Sequence, residues 1–171
     1  MINKSTFAFY TFLFSVCISF SSLTAQENAI YEVSDGSSMS KSSSKKVTQN
    51  DRADFYELAF KLHATTYVEN NIIKKSSNSE ASVSKLTFKD AKSFNVLNQS
   101  IKDFNDVELI TIILKNENDL NNKLELTQDN GFGNLKYIYI KCYFKCNEQQ
   151  IRGFVTSDAS IRVFYKTETP S

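Results

Sequence analysis

Cys142 and Cys146, with Lys141 and Lys145 beside them, are the residues whose types and spacing come nearest to reactive chemistry. A thiol acts as a nucleophile or redox centre once it ionises, and a neighbouring ammonium favours the thiolate. Both sulfurs nevertheless fall in the apolar register of the stretch from Leu135 to Cys146, where structural sulfur is the normal occupant. In an oxidising compartment, to which the leader described below directs the chain, a cysteine pair is normally bonded. Four residues of straight strand hold two Cα atoms roughly 13 Å apart, and a disulfide needs them within about 7 Å. The pair Cys142 and Cys146 is therefore expected to bond across a turn beginning near Tyr143, with Asn147-Glu148 opening a helix. Two reduced thiols are the alternative.

Other chemistries find less support. The single His63 reads as a surface or half-buried imidazole, and one histidine with two cysteines is too few ligands for a zinc site. Gly131-Phe132-Gly133 has the glycines of a turn without the Lys-Ser/Thr or third glycine of a phosphate loop. No Gly-x-Ser-x-Gly elbow occurs. Asp103 with Asp106, and Glu117 with Asp119, lie in polar turns and read as solvated charges rather than as an acid/base pair. The expectation is no catalytic residue, no metal ligand and no cofactor.

What remains is a surface, and its placement depends on the elements. From Tyr137 to Phe144 the residues alternate, Ile138, Ile140, Cys142 and Phe144 pointing one way and Tyr137, Tyr139, Lys141 and Tyr143 the other. Val107 to Leu114 is nearly all apolar and β-branched, as in a strand covered on both faces. Ile161 to Lys166 is another strand, and Leu124 with Leu126 a short extended piece. Phe55 to Glu69 fits both helix and strand, and its longer alternating register with Thr65, Thr66 and Val68 favours strand. Asn70-Asn71 then makes a tight hairpin turn. Asp90 to Phe104 has apolar residues at helical spacing, with Asp90 as cap, and Gln149 to Val155 is a short helix.

Connections of about a dozen residues or more suit parallel crossovers, so the fold class expected is α/β. It is a small sheet with mainly parallel C-terminal strands and crossover helices, the alternative being an α+β sandwich. A spaced pattern recurs as Phe55-x-x-Leu58-x-Phe60, Val83-x-x-Leu86-x-Phe88, Val107-x-x-Ile110-x-Ile112 and Leu135-x-x-Ile138-x-Ile140, then as a degenerate Ile161-x-Val163. In this the chain resembles a short leucine-rich-repeat-like array. The Asn or Cys of that family is absent, with Ala91, Lys115 and Tyr143 in its places. If the strands are parallel neighbours, Thr111, Tyr137, Tyr139, Lys141 and Arg162 share one side of the sheet, an aromatic and basic mixture suited to binding. The same tyrosines can instead lie under a helix as core.

The N-terminus carries the address. Lys4, the apolar run Phe7 to Phe20 and the small and polar Ser21 to Ala25 follow the order of a secretory signal peptide. The run is too short to span a bilayer. Val16 before Cys17 argues against a lipid anchor. Residues 1–25 are read as leader, 26–50 as a flexible Ser/Lys-rich segment with an optional short strand before Ser34, and 51–171 as one globular domain. Loss of Lys4 leaves 19 basic and 19 acidic residues, without the basic excess that attracts nucleic acid or anionic lipid. The function expected is a periplasmic or extracellular, non-enzymatic domain that binds a protein or cell-envelope component, without stable membrane insertion. A small hydrolase and an inhibitor or immunity-type protein are the alternatives. Intact-mass analysis of the chain recovered from an exporting bacterial host is expected to show an N-terminus at Gln26, and an unshortened chain would contradict the leader.

Overall fold

A computed structural model describes residues 28–33, 49–75, 82–98, 104–126 and 131–168. Residues 1–25, read above as a leader, and most of the Ser/Lys-rich segment lie outside these residues. Nine strands follow in chain order: β1 (Ile30–Glu32), β2 (Thr65–Glu69), β3 (Ile72–Lys75), β4 (Lys85–Phe88), β5 (Leu109–Leu114), β6 (Leu124–Glu125), β7 (Tyr137–Cys142), β8 (Val155–Thr156) and β9 (Arg162–Thr167). Helix α1 is Gln49–Phe60 and α2 is Glu148–Phe154, and 3₁₀ helices cover Ala91–Asn98 and Glu117–Asn121.

Seven strands form one sheet in the order β1-β9-β7-β5-β4-β2-β3, parallel except for the β2–β3 hairpin, and β6 and β8 pair separately. The fold is α/β, as expected. From β2 to β9 each parallel strand lies beside the one before it. Three of the spaced frames stand in register, with Leu86 beside Ile110 beside Ile138 and Phe88 beside Ile112 beside Ile140. Thr66 and Val68 continue these rows on β2, and Val163 and Tyr165 on β9. The frame drawn at Phe55 is wrong because it falls in α1, and the frame drawn at Ile161 is displaced, since Val163 pairs with Ile138.

The rows define a core face. Packed with Leu86, Ile110, Ile138 and Val163 are Ala91, Val96 and Leu97 from the β4–β5 link, Leu124 from the β5–β7 link, and Ile151, Phe154 and Val155 from the β7–β9 link. All three connections thus lie over one face, as stepwise parallel crossovers of one hand require. The other face receives α1, which carries the chain from β1 at one side of the sheet back to β2 near the other.

The region from Phe55 corrects the strand expectation. Gln49 to Phe60 is helical and the strand begins only at Thr65, so the alternation of Tyr56, Leu58 and Phe60 is not a sheet register. Phe55 and Leu58 are buried and Phe60 is exposed, the three-residue step of a helix resting on a flat surface. The helix expected from Asp90 is 3₁₀ over Ala91–Asn98, whose i, i+3 eclipse lines Ala91 up with Phe94 and Leu97. Asp90 acts on the hairpin. Its Oδ2 accepts the Asn70 N–H at 2.9 Å and its Oδ1 accepts the Ser93 hydroxyl, while Ser93 Oγ accepts the Asn71 N–H. Asn70 and Asn71 both have positive φ, 53° and 61°, as the two-residue hairpin requires. The sheet also begins ahead of the Asp51 boundary: β1 pairs with β9, and Asn28 Nδ2 donates to Ser157 Oγ at 2.9 Å and to the Ile161 carbonyl at 3.0 Å.

Phe55 is fully buried, and its truncation is expected to cost about 3–5 kcal/mol of unfolding free energy. Phe60→Ala, at a ring 52% exposed, is expected to cost about 1 kcal/mol or less. Urea titrations of the two variants check this, and equal midpoints would place α1 off the sheet.

Candidate functional site

The five residues singled out for a binding face do share one side of the sheet. Tyr137 pairs with Leu109 and Arg162, Tyr139 with Thr111 and Phe164, and Lys141 follows on the same side. The face is not open at these positions. Tyr137 is 2% exposed, Tyr139 1% and Thr111 8%, so an exposed tyrosine surface is corrected to core beneath α1. The cause is Phe55. Its ring stacks on Phe164 with centroids 3.8 Å apart and meets Tyr137 and Tyr139 edge-on at 5.9 and 5.4 Å. Arg162 is engaged as well, its guanidinium 2.8 Å from the Asp51 carboxylate at the start of α1. At the other end of the helix, Lys85 Nζ donates to the Ala59 carbonyl at 3.4 Å. Burial raises the Tyr137 pKa first of all, followed by the carboxylates of Asp51 and Asp54.

Beyond α1 the same face stays open. Tyr67, Lys89, Ile113, Lys141, Lys166 and Tyr143 follow by alternation or register, Lys141 and Tyr143 being positions that the sequence already sets on the side of Tyr137. Glu168 organises one end. Its carboxylate lies 3.6 Å from Lys141 Nζ and 3.7 Å from Lys166 Nζ, and its negative charge, with a hydrogen bond from the hydroxyl, raises the Tyr143 pKa. At the other end Lys89 lies 3.7 Å from Glu69 and 5.6 Å from the centre of the Tyr67 ring. Lys85 has its pKa lowered, first by burial and then by the like charge of Lys141.

Large apolar side chains left in water are Phe60, Leu62, Tyr67, Ile72 and Tyr143 among the described residues. All belong to this side of the sheet or to the end of α1 and the link that follows it: Ile72 pairs with Glu69, and Tyr143 extends the alternation of β7. Among the described residues the core face has none. Sequence reasoning missed Tyr67 and Phe60, whose strand and helix it did not separate, and the pairing of Tyr67 with Thr87 and Lys74 is visible only in the sheet.

The thiols lie at the end of β7. The strand stops at Cys142, the chain bends at Tyr143 and Phe144, and α2 starts behind Asn147, whose side chain accepts the Gln150 N–H at 3.0 Å while the Gln150 side chain accepts its own N–H. The turn forms as the spacing predicted. The disulfide expected with it does not: Cys142 and Cys146 are free and buried. They are nevertheless near neighbours, Cys142 being the ladder partner of Thr167, whose hydroxyl lies beside the Cys146 sulfur. The interaction between the two thiols, then burial, raises the Cys142 pKa; the same interaction lowers that of Cys146 against the opposing effect of burial, with Thr167 lowering it further and the Glu32 carboxylate raising it. Cys146 Sγ is 3.5 Å from Thr167 Oγ1.

His63 is half-buried in the link before β2, its Nε2 3.2 Å from the Glu57 carbonyl. Asp119 is a structural acceptor for the Lys115 and Asn116 N–H groups rather than a solvated loop charge. An open cleft of about 430 Å³ lies between Leu126, Phe132, Leu135 and the Thr156–Ile161 segment, and Asp158 is the one ionisable side chain among its described lining residues. Ser160 holds that carboxyl below its usual pKa through side-chain and backbone hydrogen bonds. Among the described residues no three His, Cys, Asp or Glu side chains are placed to hold a metal ion, and no helix is long and apolar enough to cross a membrane. No family model matches the chain, no curated protein is detectably similar to it, and no solved structure matches its fold.

Iodoacetamide is expected to label Cys146 ahead of Cys142, at a rate that rises with pH through a midpoint below the ordinary thiol value of about 8.5, because the thiolate is the reacting form. Peptide-resolved mass spectrometry checks the order, and equal labelling of both sulfurs at every pH would contradict it.

Proposed function

We propose that this chain is an exported, non-enzymatic protein-binding domain, built as a short leucine-rich-repeat-like array, which binds through the part of the α1 face that α1 leaves uncovered. One observation carries the reading. The exposed large apolar residues Phe60, Tyr67, Ile72 and Tyr143 lie on the α1 side of the sheet, with Leu62 in the link that follows α1, whereas scattered apolar exposure needs no explanation. The array is supported by the stepwise order of the parallel strands and by the register of the repeated frames.

Anchors and charges suit a protein partner. Tyr67 and Tyr143 offer large rings with polar tips, the kind of side chain that dominates binding energy. On the same face Lys74, Lys85, Lys89, Lys141 and Lys166 outnumber Glu69 and Glu168, so a partner surface rich in carboxylates is the complementary one. An inhibitor or immunity-type role uses this same face against one dedicated enzyme. A hydrolase has less support, since the open cleft offers one carboxylate already engaged by Ser160.

The immobilised chain is expected to retain a protein from the native envelope fraction. Tyr67→Ala and Tyr143→Ala should each lower retention at least about tenfold, which is about 1.4 kcal/mol, without shifting the melting temperature. Glu125→Ala, at an exposed position of β6, should retain as much as the parent chain. Undiminished retention by both tyrosine variants, or no retention above background by the parent, would remove the proposal.

A further inference from the structure

The end of β7 holds two thiols in an arrangement with more chemistry in it than packing requires. Cys142 is fully buried and Cys146 is 8% exposed, so Cys146 is the more accessible of the two. Thr167 fixes both. It is the ladder partner of Cys142, so the two side chains project from the core face of neighbouring strands, and its hydroxyl is 3.5 Å from the Cys146 sulfur. The bend at Tyr143 and Phe144 and the double cap at Asn147 set the short path between the cysteines. A strand end, a neighbouring strand and a capped helix therefore bring both thiols against Thr167, while the two remain unbonded.

We propose that Cys142 and Cys146 form a thiol–disulfide exchange site, in which Cys146 reacts with an incoming disulfide and Cys142 resolves the product into an intrachain bond. The thiolate of Cys146 attacks one sulfur of the external disulfide, forming a mixed disulfide and expelling a thiolate. Cys142 gives up its proton to that thiolate and its sulfur attacks Cys146, closing the Cys142–Cys146 bond and releasing the second external thiolate, which takes a proton from water. Two protein thiols are oxidised and one external disulfide is reduced to two thiols. The assignment of roles follows from access, and the lowered pKa of Cys146 with the raised pKa of Cys142 agrees with it. The turn that closure requires, and that a straight strand would forbid, is already made at Tyr143 and Phe144. The reactant class is an exposed disulfide on a small thiol compound or on a second protein. This inference is independent of the binding face.

Oxidised glutathione is a sufficient probe. The folded full chain is incubated with mixtures of reduced and oxidised glutathione, quenched in acid, unfolded and alkylated, and the peptides carrying Cys142 and Cys146 are weighed. The expected result is that both thiols disappear together, without a glutathione adduct accumulating, and return together on addition of dithiothreitol. Cys142→Ser should accumulate one glutathione on Cys146, and Cys146→Ser should leave Cys142 unmodified over the same time. Accumulation of an adduct on Cys146 of the parent chain while Cys142 remains alkylatable overturns the proposal. So does survival of both thiols at the highest oxidised glutathione. The parent chain alone decides the matter where a serine variant fails to fold.

Discussion

The Phe55 ring lies flat on Phe164 and edge-on to Tyr137 and Tyr139, and the whole α1 side of the sheet depends on this contact. A helix with two fully inward residues, Phe55 and Leu58, buries little apolar surface by itself. It holds its place because one large ring enters a cluster of aromatic rings extended by Tyr31, which stacks on Phe164 at 5.4 Å. The Asp51–Arg162 pair and the Lys85 contact then fix the direction of the helix axis. The same contact decides which tyrosines become core and which part of the sheet face is left uncovered.

Burial on two sides has different sources. The core face is covered by the links that each parallel step generates, so its apolar rows are dictated by strand order. The α1 face is covered by a single helix that comes from the far edge of the sheet, and one helix cannot cover seven strands. Tyr67, Ile113 and Lys141 lie past its reach. Lys89 there is paired with Glu69, and Lys141 and Lys166 with Glu168, partly exposed ion pairs that offset some of the like charge of the strip and add little stability.

Much of this architecture is legible in the chain because strand signals are local. The alternation around Ile138 and Ile140, the apolar Val107 to Leu114 run, the Asn70-Asn71 turn and the start of α2 at Asn147 each depend on residues within a few positions. Helix α1 was misread because Phe55, Tyr56, Leu58 and Phe60 satisfy both periods, and the deciding contact, with Phe164, is more than a hundred residues away. For the same reason the fate of Tyr137 and Tyr139 was open: alternation gives their side of the sheet and says nothing of what lies over it. At the thiols the spacing predicted the turn. The oxidation state is a matter of chemistry rather than of chain geometry.

The position of β1 has a consequence for how the chain comes together. Its ladder joins Ile30 to Val163 and Tyr31 to Phe164, and Asn28 is bound by the loop just before β9. Such a pairing closes a loop of most of the chain's length, an entropic cost that must be met before the contact returns any energy. During synthesis the first strand and the helix behind it emerge long before the partner that receives them. The segment that carries β1 thus stays without its native contacts until the last strand of the sheet is made.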